Sequence, residues 1–250
     1  MKNLEKIALL IDADNTQLSK LETVIQELSA YGRIVVKRAY GNWRKEALKN
    51  WEDELKRLAI KAEQQFDYVS GKNATDMALV IDTLDLLHKE IYDAFVIVAS
   101  DSDYTPLAIR LHESGVYVMG VGETKTPSAF RNACDEFLFL ENMSKSSEIS
   151  SSRSESKTNG RKETAGSDPE EQSNTDELRD IHKLLKIAWD KYQDDDRYVN
   201  QYIKRAKPDF DARTYGFMKL PDLIEAFPKK YAMKRYPGKG TVTIIAYKCK

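Results

Sequence analysis

Along the first half of the chain, unbroken apolar runs alternate with segments whose apolar residues recur every three to four positions. The runs Ile7–Ile11, Ile34–Ala39, Ala94–Ala99 and Tyr117–Val121 predict buried strands. Between them, Leu18–Ala30 sets Leu21, Val24, Ile25 and Leu28 on one helical face, and Lys45–Glu63 reads as one long helix. Thr75–His88 carries Met77, Leu79, Val80, Leu84 and Leu87 at helical spacing. Tyr104–Glu113 and Ser128–Glu136 are further helices, with short strands expected at Phe66–Val69 and Phe137–Phe139. Strands separated by helices imply an α/β fold, a parallel sheet between two helical layers.

The pattern then changes twice. From Ser144 to Thr175, ten of 32 residues are Ser, none is aromatic, and Ile149 is the one large aliphatic. Such a segment buries too little apolar surface to offset its ordering entropy, which predicts a disordered linker. Beyond it, Glu177–Tyr192, Val199–Ala206 and Leu220–Phe227 read as helices. Tyr231–Tyr236 and Thr241–Tyr247 flank a Pro-Gly-Lys-Gly turn and read as a β-hairpin. Short helices followed by a hairpin describe a winged helix. The expected organisation is therefore an α/β domain over 1–143, a linker over 144–175 and a winged helix over 176–250.

Charge supports that division. The net charge of -1 conceals a first part (1–143) with 17 Lys+Arg against 23 Asp+Glu, and a last part (176–250) with 17 against 11. The basic part suits a polyanionic partner. No apolar run approaches the roughly 20 residues of a membrane span, and the N-terminus enters a strand pattern rather than a signal peptide. Two distant cysteines, Cys134 and Cys249, form no disulfide framework, and a reducing cytoplasm is the expected compartment. With only three His in addition, the composition argues against a zinc site.

The chemistry concentrates where two apolar runs stop, in Ile7–Thr16 (IALLIDADNT) and Ala94–Leu107 (AFVIVASDSDYTPL). Each delivers aspartates at a strand end: Asp12 and Asp14 from the first, Asp101 and Asp103 from the second. Grouped carboxylates repel unless a cation or proton is shared among them. In open parallel sheets ligands bind beyond the carboxyl ends of the strands, so the two clusters are expected to be neighbours, with Gly120 and Gly122 turning the backbone tightly beside them. Asp76, at the start of the third long helix, can point into the same crevice, and Lys72 just before it can meet a phosphate. Oxygen-only donors suit Mg²⁺ or Mn²⁺, which lower the pKa of a bound water and support phosphodiester cleavage. For any one of these residues N-capping is the simpler role, but capping does not require several acids per loop. Asp82 and Asp85 are assigned to a solvated face or a local polar contact.

Asp12-Ala13-Asp14-Asn15-Thr16 also fits the first motif of haloacid-dehalogenase-type phosphatases, in which Asp12 would be a nucleophile and Asp14 a general acid/base. The second strand ends in Lys37-Arg38-Ala39-Tyr40, where that family has a Ser or Thr. A fuller resemblance rests on four stretches in order: IDADNT, GKNATDMALVIDTLDLL, VIVASDSDYTPLAIRLHESGVYVMGVG and TPSAFRNACDEFLFLE. Together they resemble the NYN domain, a PIN-like ribonuclease fold, over nearly all of residues 5–142. The resemblance implies metal-dependent RNA cleavage by Asp12, Asp76, Asp101 and Asp103, with Asn15 and Ser100 as adjacent polar groups. The C-terminal part, through YGFMKLPDLIEAF and the hairpin, is similar to the OST-HTH or LOTUS domain over about Asp176–Tyr247, which implies binding of RNA or of a protein partner.

Nucleic-acid contacts are expected around the end of the second strand. There Arg33, Lys37, Arg38, Arg44 and Lys45 flank Tyr40 and Trp43, cations to hold phosphates beside aromatics to stack an unpaired base. Arg131 is a further candidate, and Lys229, Lys230, Lys234, Arg235 and Lys239 gather on the wing. The leading expectation is an Mg²⁺- or Mn²⁺-dependent ribonuclease with a tethered winged helix. The alternatives are a non-catalytic RNA- or protein-binding adaptor and, third, the phosphatase.

Overall fold

In the computed structural model the described residues are 4–67, 73–143, 169–191, 197–237 and 243–249. The chain divides into two compact units, Met1–Ser144 and Lys145–Lys250.

The first unit is built on six parallel strands: β1 (Leu4–Asp12), β2 (Gly32–Gly41), β3 (Lys61–Gln64), β4 (Ala94–Val98), β5 (Tyr117–Gly122) and β6 (Glu136–Phe139). Their order across the sheet is β3-β2-β1-β4-β5-β6. Side chains alternate between the two faces of a strand, and both faces here are covered. From β1 and β4, Ile7, Leu9, Ile11, Val96 and Val98 enter one core cluster. Ala8, Leu10, Phe95 and Ile97 enter the other. This is why β1 and β4 are continuous apolar runs rather than alternating ones. Helices α1 (Leu21–Ser29) and α2 (Trp51–Arg57) pack on the first face through Leu21, Val24, Leu28, Trp51 and Leu55. Helices α3 (Ala74–Leu87), α4 (Thr105–Glu113) and α5 (Ser128–Ala133) cover the second through Leu79, Leu86, Leu107, Leu111 and Phe130. The result is the expected α/β/α sandwich.

Strand order reverses between β1 and β4, which pair from Ile7↔Ala94 to Ile11↔Val98. Connections leave these two neighbours in opposite directions, opening a crevice beyond their carboxyl ends. Asp12 and Asp101 lie at that crevice.

Two local expectations are corrected. The segment 45–63 is not one long helix: after a 3₁₀ turn at Glu46–Leu48, α2 ends at Arg57 and the chain becomes β3. The turn is a Schellman motif, with Ile60 N–H donating to Leu55 O (2.9 Å) and Ala59 N–H to Lys56 O (3.2 Å). It places Ala59 in the left-handed region at φ 51°, a position usually given to glycine. The strand foreseen at Phe66–Val69 accordingly lies earlier, at Lys61–Gln64, while residues 68 and 69 fall outside the described ones. Second, Gly120 and Gly122 lie within β5 and make no turn; they make room. A Cβ at Gly120 would come within 2.4 Å of the Phe137 ring, and one at Gly122 within 2.5 Å of Ala99 O.

The second unit contains α6 (Pro169–Lys191), α7 (Arg197–Ala206), a 3₁₀ turn at Ala212–Tyr215, α8 (Leu220–Ala226) and the antiparallel hairpin β7 (Tyr231–Pro237) with β8 (Thr243–Cys249). Ile181, Leu185, Ala188, Ile203, Leu223, Ile224, Tyr231 and Tyr247 form its core. The Tyr247 hydroxyl donates to Leu185 O at 2.9 Å, tying β8 to α6. Helix α6 starts at Pro169, inside the segment read as linker; Pro at the first turn followed by Glu170 and Glu171 is a helix-start signal that the Ser content outweighed in the reading. The rest of the linker, residues 144–168, lies outside the described residues.

Candidate active site

Asp12 is the last residue of β1, and the pleat that sends Leu10 and Ala8 into the core carries its carboxylate onto the same face. The side chain is fully buried. Its Oδ2 accepts a 3.0 Å hydrogen bond from Asn15 Nδ2, whereas Oδ1 has no hydrogen-bond partner. Burial pushes its pKa up to about 6; the Asn15 bond opposes this, and the negative charges of Asp76 and Asp14 add to it.

Asp76 sits in the first turn of α3, where a carboxylate also meets the positive end of the helix. Its Oδ1 accepts a 2.7 Å hydrogen bond from the hydroxyl of Tyr104. Burial raises its pKa, the Tyr104 bond lowers it, and the charges of Asp101, Asp103 and Asp14 raise it further. Tyr104 is itself fully buried, and its hydroxyl is held far above the ordinary tyrosine range by burial and by the charges of Asp12 and Asp76. It donates to Asp76 and lies near enough to Asp12 to feel its charge. Sequence reading placed Tyr104 only as a helix start; an aromatic just before α4 carries no signal separating it from a core residue.

The loop after β4 presents the other pair. Asp101 caps the 3₁₀ turn Ser102–Tyr104, its Oδ1 accepting from Asp103 N–H at 3.0 Å. Asp103 Oδ2 accepts from Asn73 Nδ2 at 2.8 Å, which ties this loop to the start of α3. Ser100 Oγ accepts from Glu123 N–H at 3.0 Å and fixes the loop against the end of β5. At the carboxyl edge of the sheet Asp12 feels the charge of Asp76, and Asp76 those of Asp101 and Asp103. Among the described residues, however, no three acidic, His or Cys side chains form a ready-made ion cage. Each of the four carboxylates accepts from a neighbouring donor through one oxygen, and of the remaining oxygens Oδ1 of Asp12 is buried. A buried oxygen without a partner, among mutually repelling carboxylates and with oxygen donors alone, fits a hard divalent cation.

Asp14 is engaged elsewhere. Its Oδ1 pairs with Lys45 Nζ at 3.1 Å and its Oδ2 accepts from Thr75 Oγ1 at 2.8 Å, linking the β1 loop to α3.

The nucleic-acid contacts expected near β2 are placed differently. Tyr40 is 1% exposed, and its hydroxyl donates to Asp82, which also receives the Arg38 guanidinium. The Tyr40 ring therefore offers no face to a base, and Arg38 is spent on a carboxylate; Asp82 makes the local polar contact expected of it. Trp43 leans on Trp51 at 6.0 Å between ring centroids and packs against the core. Lys37 Nζ donates to Leu58 O at 2.5 Å. The Arg131 guanidinium lies over the Phe139 ring, 5.7 Å from its centroid. Lys72 and Lys239 lie outside the described residues, as do the side chains of Lys234 and Arg235. Of the wing cations, Lys230 Nζ stands 5.6 Å from the centroid of Phe227.

A parallel sheet with the buried Asp12 and the more exposed Asp76, Asp101 and Asp103 beyond its strand ends defines an α/β domain with an acidic edge. The profile of the NYN domain matches residues 6–141, more than half of the chain, and the chain belongs to that family, a PIN-like nuclease family. The OST-HTH/LOTUS domain, an RNA-binding type, matches residues 178–243. No curated protein matches the chain. Among solved structures, a protein of unknown function from Vibrio parahaemolyticus RIMD 2210633 is similar, with 15% identity and a TM-score of 0.48, covering 57% of this chain and 97% of that one. Membership of the NYN family, together with the engagement of Asp14 by Lys45 and Thr75, leaves the phosphatase reading without support. Among the described residues no helix is long and apolar enough to cross a membrane.

Proposed function

We propose that this protein is a divalent-metal-dependent ribonuclease in which Asp12, Asp76, Asp101 and Asp103 hold Mg²⁺ or Mn²⁺. The observation that carries this reading is the Oδ1 atom of Asp12, buried and without a partner beside the charge of Asp76. A charged carboxylate in that position is costly unless a cation joins it. When bound, such an ion acidifies a water and offsets charge developing on the phosphodiester. The chain's own groups set the geometry: Asn15 holds Asp12 through Oδ2, Tyr104 holds Asp76, and Ser100 anchors the loop bearing Asp101 and Asp103. Asp101 accepts from Ser102 Oγ and Asp103 N–H through Oδ1 alone, and Asp103 from Asn73 through Oδ2 alone, so each keeps a second oxygen to offer an ion. The basic winged helix recruits RNA and raises its local concentration at the nuclease domain.

The experiment is cleavage of single-stranded RNA by the full chain with Mn²⁺, compared with Asp12→Asn and Asp101→Asn. Loss of cleavage in both, with the fold intact, is expected. A folded wild-type protein that binds Mn²⁺ and RNA yet cleaves nothing would instead identify an RNA-binding adaptor.

A further inference from the structure

The corrected placement of Tyr40 and Trp43 leaves the proposed nuclease edge without the base-stacking surface its sequence suggested, and another aromatic stands there. Phe66 is 48% exposed, two residues beyond the end of β3. Gln65 N–H donates to Gly41 O at 3.0 Å, continuing the strand pairing, so Phe66 emerges at the same carboxyl edge as Asp12. A single exposed apolar side chain is ordinary, but three observations set this one apart. The Arg44 guanidinium lies over its ring, 5.0 Å from the centroid, and among the described residues Arg44 forms no ion pair. The backbone around both is braced by Asn42, whose Oδ1 accepts from Gln64 Nε2 (3.1 Å) and Arg44 N–H (3.4 Å). And Lys45 Nζ bridges Asp14 Oδ1 (3.1 Å) and Asp67 Oδ2 (3.5 Å), connecting the residue after Phe66 to the loop that carries Asp12.

We infer that Phe66 and Arg44 form a stacking platform for an unpaired nucleobase flanking the cleaved phosphodiester. This rests on the ribonuclease reading above. A phenyl ring and a guanidinium are both flat surfaces on which any base stacks without sequence preference, and a duplex hides those base faces. Arg44 adds a charge for the adjoining phosphate, while Lys45 offsets part of the negative charge of Asp14 and Asp67 between the platform and Asp12.

The test is a base-removal series. Single-stranded RNA oligonucleotides, each with one abasic nucleotide at successive positions around the cleaved bond, are offered with Mn²⁺ to the full-length wild type, Phe66→Ala and Phe66→Trp. At one position the wild type is expected to lose roughly tenfold in kcat/KM when the base is absent. Phe66→Ala shows the same tenfold loss on intact RNA and no further loss on the abasic one, and Phe66→Trp restores both the rate and the sensitivity. Equal base sensitivity in wild type and Phe66→Ala overturns the platform. The same series read as RNA affinity of Asp12→Asn protein decides on Phe66 independently of turnover. Cleavage that survives Asp12→Asn strikes at the metal-site reading instead, leaving the platform to the affinity data.

Discussion

The Tyr104 hydroxyl donates to Asp76 Oδ1 at 2.7 Å, joining the turn before α4 to the first turn of α3 at the point where the sheet reverses its strand order. Tyr104 is a positioning residue: its ring is core, and only its oxygen reaches the acidic edge. Tyr104→Phe preserves the ring packing against Phe130 and removes that donor. A hydrogen bond to a charged group is worth about 1.5–3 kcal/mol. The expected outcome is a kcat lowered by about tenfold or more, with RNA KM unchanged and a higher Mn²⁺ concentration needed for half-maximal rate. Metal titration of the rate checks this, and an unchanged metal requirement would count against the positioning role.

Asp12 makes metal-free stability depend on pH. Its folded pKa, about 6, exceeds the ordinary value of 3.8, so between those values the folded state binds more protons than the unfolded one. Stability from this group is complete below the ordinary value and falls as pH rises through the window, by about 3 kcal/mol in all. Asp12→Asn has no such group. In chelator-treated protein it should be more stable than wild type at pH 7, and the difference should shrink by roughly 1 kcal/mol at pH 5. Urea unfolding at the two pH values measures it. Saturating Mn²⁺ should raise the wild-type midpoint and leave the Asp12→Asn midpoint where it was.

Asp82 is structural. It receives both the buried Tyr40 hydroxyl and the Arg38 guanidinium, and burial together with Asp82 raises the Tyr40 pKa. Asp82→Ala leaves the buried Tyr40 hydroxyl without its acceptor and Arg38 with only the longer pairing to Glu63 at 3.9 Å, for a destabilisation of about 2–4 kcal/mol. Below its lowered melting temperature the variant should retain the wild-type RNA affinity. A loss of affinity in the folded variant would return Arg38 and Tyr40 to the substrate surface.

Ala59 is strained at φ 51° in the turn between α2 and β3. Ala59→Gly relieves a left-handed conformation costing about 1–2 kcal/mol, offset in part by the entropy of a glycine in the unfolded chain. The expected gain is about 1 kcal/mol, read as an upward shift in thermal midpoint with activity unchanged.

Gly122 is the opposite case. A Cβ there would stand 2.5 Å from Ala99 O and 2.7 Å from Thr126 Oγ1, close to the loop bearing Ser100 and Asp101. Gly122→Ala must displace backbone rather than a flexible side chain. It should cost both stability and activity, with circular dichroism and RNA cleavage as the paired measurements.

The legible parts of this protein were those decided by local pattern. Two-sided burial makes β1 and β4 continuous apolar runs, so the parallel sheet and the strand ends bearing Asp12 and Asp101 could be read directly. The α2–β3 boundary could not, because its left-handed turn uses Ala59 where a glycine would have announced it. Local pattern suffices for the α/β alternation, the separate basic unit and the strand ends that carry Asp12 and Asp101, since burial and pleat follow from hydrophobic periodicity; the adjacency of β1 and β4 is a matter of strand order, which periodicity does not encode. Which polar groups are already satisfied is settled by three-dimensional packing alone. Packing across the sheet gives Tyr40 and Arg38 to Asp82, Asp14 to Lys45 and Thr75, and Asp76 to Tyr104, and leaves Asp12 Oδ1 without a partner and Phe66 half exposed beneath Arg44. Pairings between residues 28 to 61 positions apart depend on where helices dock across the sheet, and no local periodicity encodes that.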